Sequence, residues 1–178
     1  MCPDCCRRTL SFISKSNDLK MDQYYRVFDE FKGECLMIAE TVWTKEMEFE
    51  GRSESGHSVV FDASDRHVNG PSPMEAVLMA LCSCTSVDVV SILKKKREPL
   101  TSLTVSATAE QSAAPPRVFT RIMLTYRIGG AVSKKAAEDA VELSKNKYCS
   151  VSKMLEKAAQ IDFRIEYAND SSVDVSSK

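Results

Sequence analysis

The chain has 178 residues, 43% hydrophobic and 28% charged, with a formal net charge of −1. That length and balance suit one domain with a sizeable core, or one domain plus an extension, in a soluble globular protein. Near-neutral charge argues against nucleic acid or a membrane as an obligatory partner, and the two histidines, His57 and His67, leave no histidine-rich metal cage.

Seven cysteines occur, at positions 2, 5, 6, 35, 82, 84 and 149. The count is odd, the chain is not small, and no apolar signal-peptide core opens it. A secreted disulfide framework is therefore disfavoured, and free thiols in a reducing compartment, the cytoplasm, are expected.

Residues 1–36 form an extension unlike the rest. Cys2, Cys5 and Cys6 crowd its start, Cys35 lies near its end, and Tyr24, Tyr25, Val27, Phe28 and Phe31 suggest a short amphipathic helix or docking segment. Arg7 and Arg8 beside Ser and Thr resemble a transit peptide, whereas Asp4, Asp18 and Asp22 oppose one, so organellar import by this extension stays open. The CPDCC cluster lacks a second Cys or His pair at ligand spacing, so neither metal nor cofactor is expected.

Alternation then predicts strands in VWTKEMEFEG and SVVFD, joined by the turn-like GRSESGH. NGPSPMEA opens a helix running from Pro73 to about Arg97, with Ser72 at the N-cap, Pro73 at the first helical position and Glu75 three residues past the cap. Its apolar run ends in KKKR, like a membrane span with a positive flank. Glu75 and Asp88 lie inside it, and a carboxylate at mid-membrane costs roughly 2.5–3.5 kcal/mol, so a buried helix is the better expectation.

At 100° per residue Cys82 and Cys84 stand about 200° apart and cannot bond within a regular helix. Cys84 shares its face with Val77, Ala80, Leu81, Val87 and Asp88. Cys82 shares another with Leu78, Met79, Ser86, Val89 and Leu93. Both faces are apolar, so the helix is expected to be covered all round, with Met74 and Met79 as core filler. One domain of this size has few layers for that, and a homodimer would supply them. Lys94 to Glu98 reads as the solvated end of the helix, its cations matching the carbonyl dipole, or as a site for an acidic partner.

LTVSATAEQ leads through a Pro-rich turn, AAPP, into VFTRIMLTYRIGG, where Val118, Thr120, Ile122, Leu124, Tyr126 and Ile128 share a face. Helices follow at Ser133 to about Asn146 and at about Ser150 to Ala159. IDFRIEYA closes the set, and residues 169–178 read as a disordered tail. The order gives an α+β fold without regular βαβ alternation.

Cys149 lies at the mouth of the short helix, capped by Ser150 or by Cys149 itself. Unpaired amides there favour a thiolate and should lower its pKa. Apolar surroundings disfavour a thiolate at Cys84, which then needs a nearby cation to react. Against these functional readings stands the ordinary one, in which free Cys packs as a small hydrophobe.

GPSPMEAVLMALCSCTSVDVVSILKKKRE, followed by KYCSVSKMLEKAAQI, resembles the OsmC/Ohr family of osmotically inducible and organic-hydroperoxide-resistance proteins, closest to its YhfA-like branch. The resemblance covers roughly residues 37–168. It implies an OsmC-like fold, a long central helix packed against antiparallel sheets in an intertwined homodimer. It also implies a cysteine-based hydroperoxide reductase with Cys84, eleven residues after Pro73, as the peroxide-attacking cysteine and Cys149 as the resolving one. Cys84 would become a sulfenic acid, Cys149 would condense with it, and an external dithiol would reduce the disulfide, with no metal or haem. Organic hydroperoxides suit the apolar lining.

Peroxidase members of the family place a carboxylate directly after the helix-opening proline, paired to an arginine. Here that position is Met74, with the acid at Glu75, and Arg52 is the nearest candidate arginine. The alternative to a peroxidase is a non-catalytic or redox-sensing dimer binding a small hydrophobic ligand.

Overall fold

The computed structural model describes residues 37–168, which divide into two compact units, one ending at Pro73 and one beginning at Met74. The N-terminal extension with Cys2, Cys5, Cys6 and Cys35, and the tail, lie outside the described residues.

The first unit is an antiparallel meander of β1 (Ala39–Lys45), β2 (Glu48–Ser53) and β3 (Ser58–Asp62). The stretch expected as one strand, VWTKEMEFEG, is a hairpin turning at Glu46 and Met47. Glu46 takes a positive φ of 43°, and Trp43 Nε1 donates to its carbonyl at 2.9 Å, closing the turn. Alternation continued through that turn, so periodicity alone did not show it. Asp62, at the end of β3, is buried and accepts from the backbone N–H of Ser64 and Asn69. The bonds from Ser64 and Asn69 hold its carboxyl down at about 2. Beside it lies an acidic cleft of about 480 Å³ lined by Glu46, Glu48, Asp62, Asp65 and Arg66 among others.

The second unit sets α1 (Pro73–Lys95) against a three-stranded sheet, β4 (Leu100–Gln111), β5 (Phe119–Gly130) and β6 (Gln160–Ala168). β4 and β5 pair antiparallel, but β5 and β6 pair parallel, so the sheet is mixed rather than antiparallel. The reason is the connection. Two helices, α2 (Lys134–Leu143) and α3 (Ser150–Leu155), with a π-helical turn at Ser144–Tyr148 between them, carry the chain back to the starting edge of β5.

Register stacks the core in rows: Ala109, Ile122 and Ile161; Ala107, Leu124 and Phe163; Val105, Tyr126 and Ile165; Leu103, Ile128 and Tyr167. The central member of each row is fully or almost fully buried. At the start of β5 the expected parity fails. A bulge pairs Glu110 with Arg121 and Gln111 with Phe119, skipping Thr120. Phe119 is therefore buried, while Thr120 and Val118 are exposed. The Pro-rich turn before it contains a cis peptide between Pro115 and Pro116.

Among the described residues, α1 is fully buried along one stripe only. Leu81, Thr85, Val89 and Leu93, spaced four apart, form its fully buried stripe, and Leu81, Val89 and Leu93 belong to the core cluster of the sheet. Met79 and Val87 remain 57% and 66% exposed and Met74 37%, so neither methionine fills the core. Although 23 residues long and apolar enough to cross a membrane, the helix packs on a sheet through that stripe.

Its C-terminus is a Schellman motif: Glu98 N–H donates to Leu93 O and Arg97 N–H to Lys94 O, with Arg97 at φ 59°. Lys96 pairs with Asp139 of α2 at 2.6 Å, and Glu98 accepts from both the amide and the hydroxyl of Ser133, the N-cap of α2. The KKKRE segment thus ties α1 to α2, beyond complementing a dipole. A left-handed residue with a Cβ costs about 1–2 kcal/mol. Arg97→Gly is therefore expected to raise stability by about 0.5–1 kcal/mol, read as a rise in thermal midpoint of a few degrees.

Candidate functional site

Two cysteines and one carboxylate converge in the second unit. Cys84 and Asp88 stand four residues apart on α1 and so share a face; Cys149 arrives at the start of α3. The two sulfur atoms and a carboxylate oxygen of Asp88 all lie within 4.8 Å of one another. Cys149 is fully buried, and Cys84 and Asp88 are partly exposed. Both cysteines are free thiols.

The π-helical turn brings Cys149 there. Its N–H donates to Ser144 O at 2.8 Å, a bond one residue wider than in an α-helix, and the extra residue ends α2 short of the expected Asn146. Ser144 also holds the opposite side of the cluster, since its hydroxyl donates to Asp88 Oδ2 at 2.9 Å. One residue therefore spaces Cys149 through its main chain and Asp88 through its side chain.

Behind Ser144 runs a directed hydrogen-bond chain. Ser144 Oγ spends its one proton on Asp88, so Thr85 Oγ1, 2.8 Å away, must donate to Ser144. Thr85 in turn accepts from Tyr126 OH at 2.7 Å. Burial pushes the Tyr126 phenol up to about 12, which keeps it a donor. Tyr126, Thr85 and Ser144 are all fully buried, so the chain runs from the sheet core to the carboxylate. Thr85→Val keeps the shape but leaves the buried Tyr126 hydroxyl without its acceptor, while Ser144 keeps its bond to Asp88. It is expected to cost about 1–3 kcal/mol in urea unfolding.

Cys149 itself caps α3, its sulfur accepting from Ser152 N–H at 3.4 Å. The expected lowering of its pKa is overturned. Burial pushes the thiol up most strongly, the hydrogen bond with Cys84 adds to this, and the hydroxyl and amide of Ser152 pull down without prevailing. Only six residues follow the cap, so its dipole is small against complete loss of water. Cys82 lies away from this stripe and is held as a thiol by burial.

No cation figures among the groups acting on Cys149, and among the described residues Asp88 makes no ion pair. Arg52 lies on β2 in the first unit, paired with Glu50 at 2.8 Å, which draws that carboxyl down. Glu75 sits in the first turn of α1.

The sequence singled out Cys84 and Cys149, and the fold brings them together. Asp88 was visible four residues after Cys84 on the same face, but it was given no role in the site. Ser144, Thr85, Tyr126 and Ser152 were missed. The spacing of Thr85 to Leu81 and Val89 marked it as a polar residue on a buried stripe; nothing local marked the others.

The sequence matches the family model for OsmC-like proteins over residues 64–164. It is 44% identical over 131 residues to Protein YhfA of Escherichia coli (strain K12), covering 73% of this chain and 97% of that protein. An OsmC-like protein from Mycoplasma pneumoniae superposes with a TM-score of 0.67 at 16% identity, covering 75% of this chain and 98% of that one. An organic hydroperoxide resistance protein from Elizabethkingia anophelis superposes at 0.58 with 15% identity, covering 77% and 99%. These two structures share the fold. A family match over more than half the chain, with close identity to a family member across nearly all of that member, places the protein: it belongs to the OsmC family.

Proposed function

We propose that this protein is a thiol-dependent peroxidase that reduces organic hydroperoxides through a two-cysteine cycle. The observation that carries the proposal is the approach of the Cys84 and Cys149 sulfurs to within 4.8 Å, from positions 65 residues apart in sequence (149 − 84). Accessibility divides the roles. Cys84 is partly exposed and meets the peroxide first; Cys149 is buried and meets only Cys84.

Cys84, as thiolate, attacks the distal peroxide oxygen; the O–O bond breaks and an alcohol leaves with a proton. The sulfenic acid formed at Cys84 is then attacked by Cys149, losing water as the S–S bond forms. Closing the bridge brings the two sulfurs from within 4.8 Å to about 2.05 Å. An external dithiol restores both thiols. The cycle itself requires neither metal nor haem.

The exposed apolar residues Met79 and Val87 on α1 support a homodimer, the intertwined form of the proposal, which would cover them. The proposed compartment is the cytoplasm, where thiols stay reduced. Turnover of tert-butyl hydroperoxide with dithiothreitol tests the activity. The wild type is expected to consume it and Cys84→Ser to fall to the uncatalysed rate; equal rates in the two proteins overturn the proposal.

A second reading is a non-catalytic or redox-sensing dimer that binds a small hydrophobic ligand. It is favoured by the lack of an arginine among the groups acting on Cys149. It predicts disulfide formation at 84–149 without turnover.

A further inference from the structure

We propose that Cys84, Asp88 and Cys149 form a binding site for a thiophilic divalent cation of the zinc type, which competes with disulfide formation for the same two sulfurs. The site stands independently of the peroxidase proposal, since it requires only the reduced thiols.

Geometry comes first. The three donor atoms lie within 4.8 Å of one another, two from one turn of α1 and one from the cap of α3. Zinc binds thiolate at about 2.3 Å and carboxylate at about 2.0–2.2 Å in a tetrahedron, so ligands on a common ion stand nearly this close. Placing all three donors on one ion requires a modest further contraction of the cluster.

Charge points the same way. When ionised, two thiolates and a carboxylate carry three negative charges in a half-buried space. Asp88 has a neutral partner, Ser144, and among the described residues no ion pair. A divalent cation offsets most of that charge, and the donor set selects its class. Two sulfurs disfavour magnesium and calcium, which take oxygen; a carboxylate is a poor ligand for monovalent copper, which takes sulfur.

The surroundings also resemble the support of a metal site. Asp88 is oriented by Ser144, which Thr85 and Tyr126 hold in turn, as outer partners orient metal ligands. A separate observation lies on the other side. The hydroxyl of Ser152 is buried beside the Cys149 thiol and has no partner at full hydrogen-bond geometry. A water completing the tetrahedron would satisfy it.

Cobalt(II) titration of the reduced full-length chain tests the site through its thiolate-to-cobalt absorption, with zinc as competitor. Cys2, Cys5, Cys6 and Cys35 are replaced by serine in a second protein so that they cannot contribute. The expected result is one equivalent of cobalt per chain in that four-serine protein, displaced by zinc. The absorption is lost in Cys84→Ser and in Cys149→Ser and also after oxidation to the disulfide. Asp88→Asn, which can retain the bond from Ser144, should weaken binding at least about tenfold. No thiolate absorption in the reduced four-serine protein, or absorption unchanged by Cys84→Ser and Asp88→Asn, overturns the proposal.

Discussion

Cys149→Ser is expected to turn a recyclable enzyme into one destroyed by its substrate. Given excess organic hydroperoxide and no reductant, the wild type stops at the disulfide, and dithiothreitol then restores essentially all activity. In the variant the Cys84 sulfenic acid has lost the Cys149 thiol that lies within 4.8 Å of it. A second and third peroxide carry it to sulfinic and sulfonic acids, which dithiols do not reverse. The difference is large because it separates full recovery from almost none. Mass analysis of Cys84 after treatment checks it. Full recovery by the variant, with Cys84 still at the thiol level, would remove Cys149 from the cycle.

Tyr126→Ala should have the greatest effect on stability. The ring is fully buried at the centre of β5, flanked in its row by Val105 and Ile165, with Phe163 edge-on at 6.4 Å. Removing it leaves a cavity worth about 3–5 kcal/mol and takes the first donor from the chain that ends at Asp88. Tyr126→Phe isolates the second part: it keeps the ring and should cost about 1–3 kcal/mol, because Thr85 then has an unfilled acceptor site. Domains hold only about 5–15 kcal/mol in all, so the alanine variant should unfold at markedly lower urea. A loss below about 1 kcal/mol for Tyr126→Ala would show that the ring is not part of the core.

Much of the fold was legible in the sequence because the elements of the second unit carry strong local signals. The alternation of β6 and the Ser72-Pro73-Glu75 start of α1 needed no tertiary information. The failures have a common cause. The hairpin at Glu46 and Met47, the bulge at Thr120 and the π-helical turn at Ser144–Tyr148 each shift register by a residue or two without interrupting the apolar pattern. Periodicity continues across such a shift, but the buried face does not.

For the site, the pairing of the two cysteines was expected from family resemblance, while Asp88 was seen on the Cys84 face but given no part in it. The rest was not. Ser144 became part of the site through a bond to a helix 56 residues away in sequence, and the thiol of Cys149 rose because burial outweighed a six-residue helix. Parallel pairing of β5 with β6 was likewise a consequence of where two helices returned the chain. These are properties of assembly, and a local reading of residues does not contain them.

One stoichiometric dose of an organic hydroperoxide, given to the reduced protein and followed by mass spectrometry of its peptides, tests whether the two sulfurs act as a pair. A loss of two hydrogens, mapped to a bridge between Cys84 and Cys149, is expected. A stable added oxygen on Cys84 with Cys149 untouched, or a bridge joining other cysteines, would contradict the two-cysteine cycle.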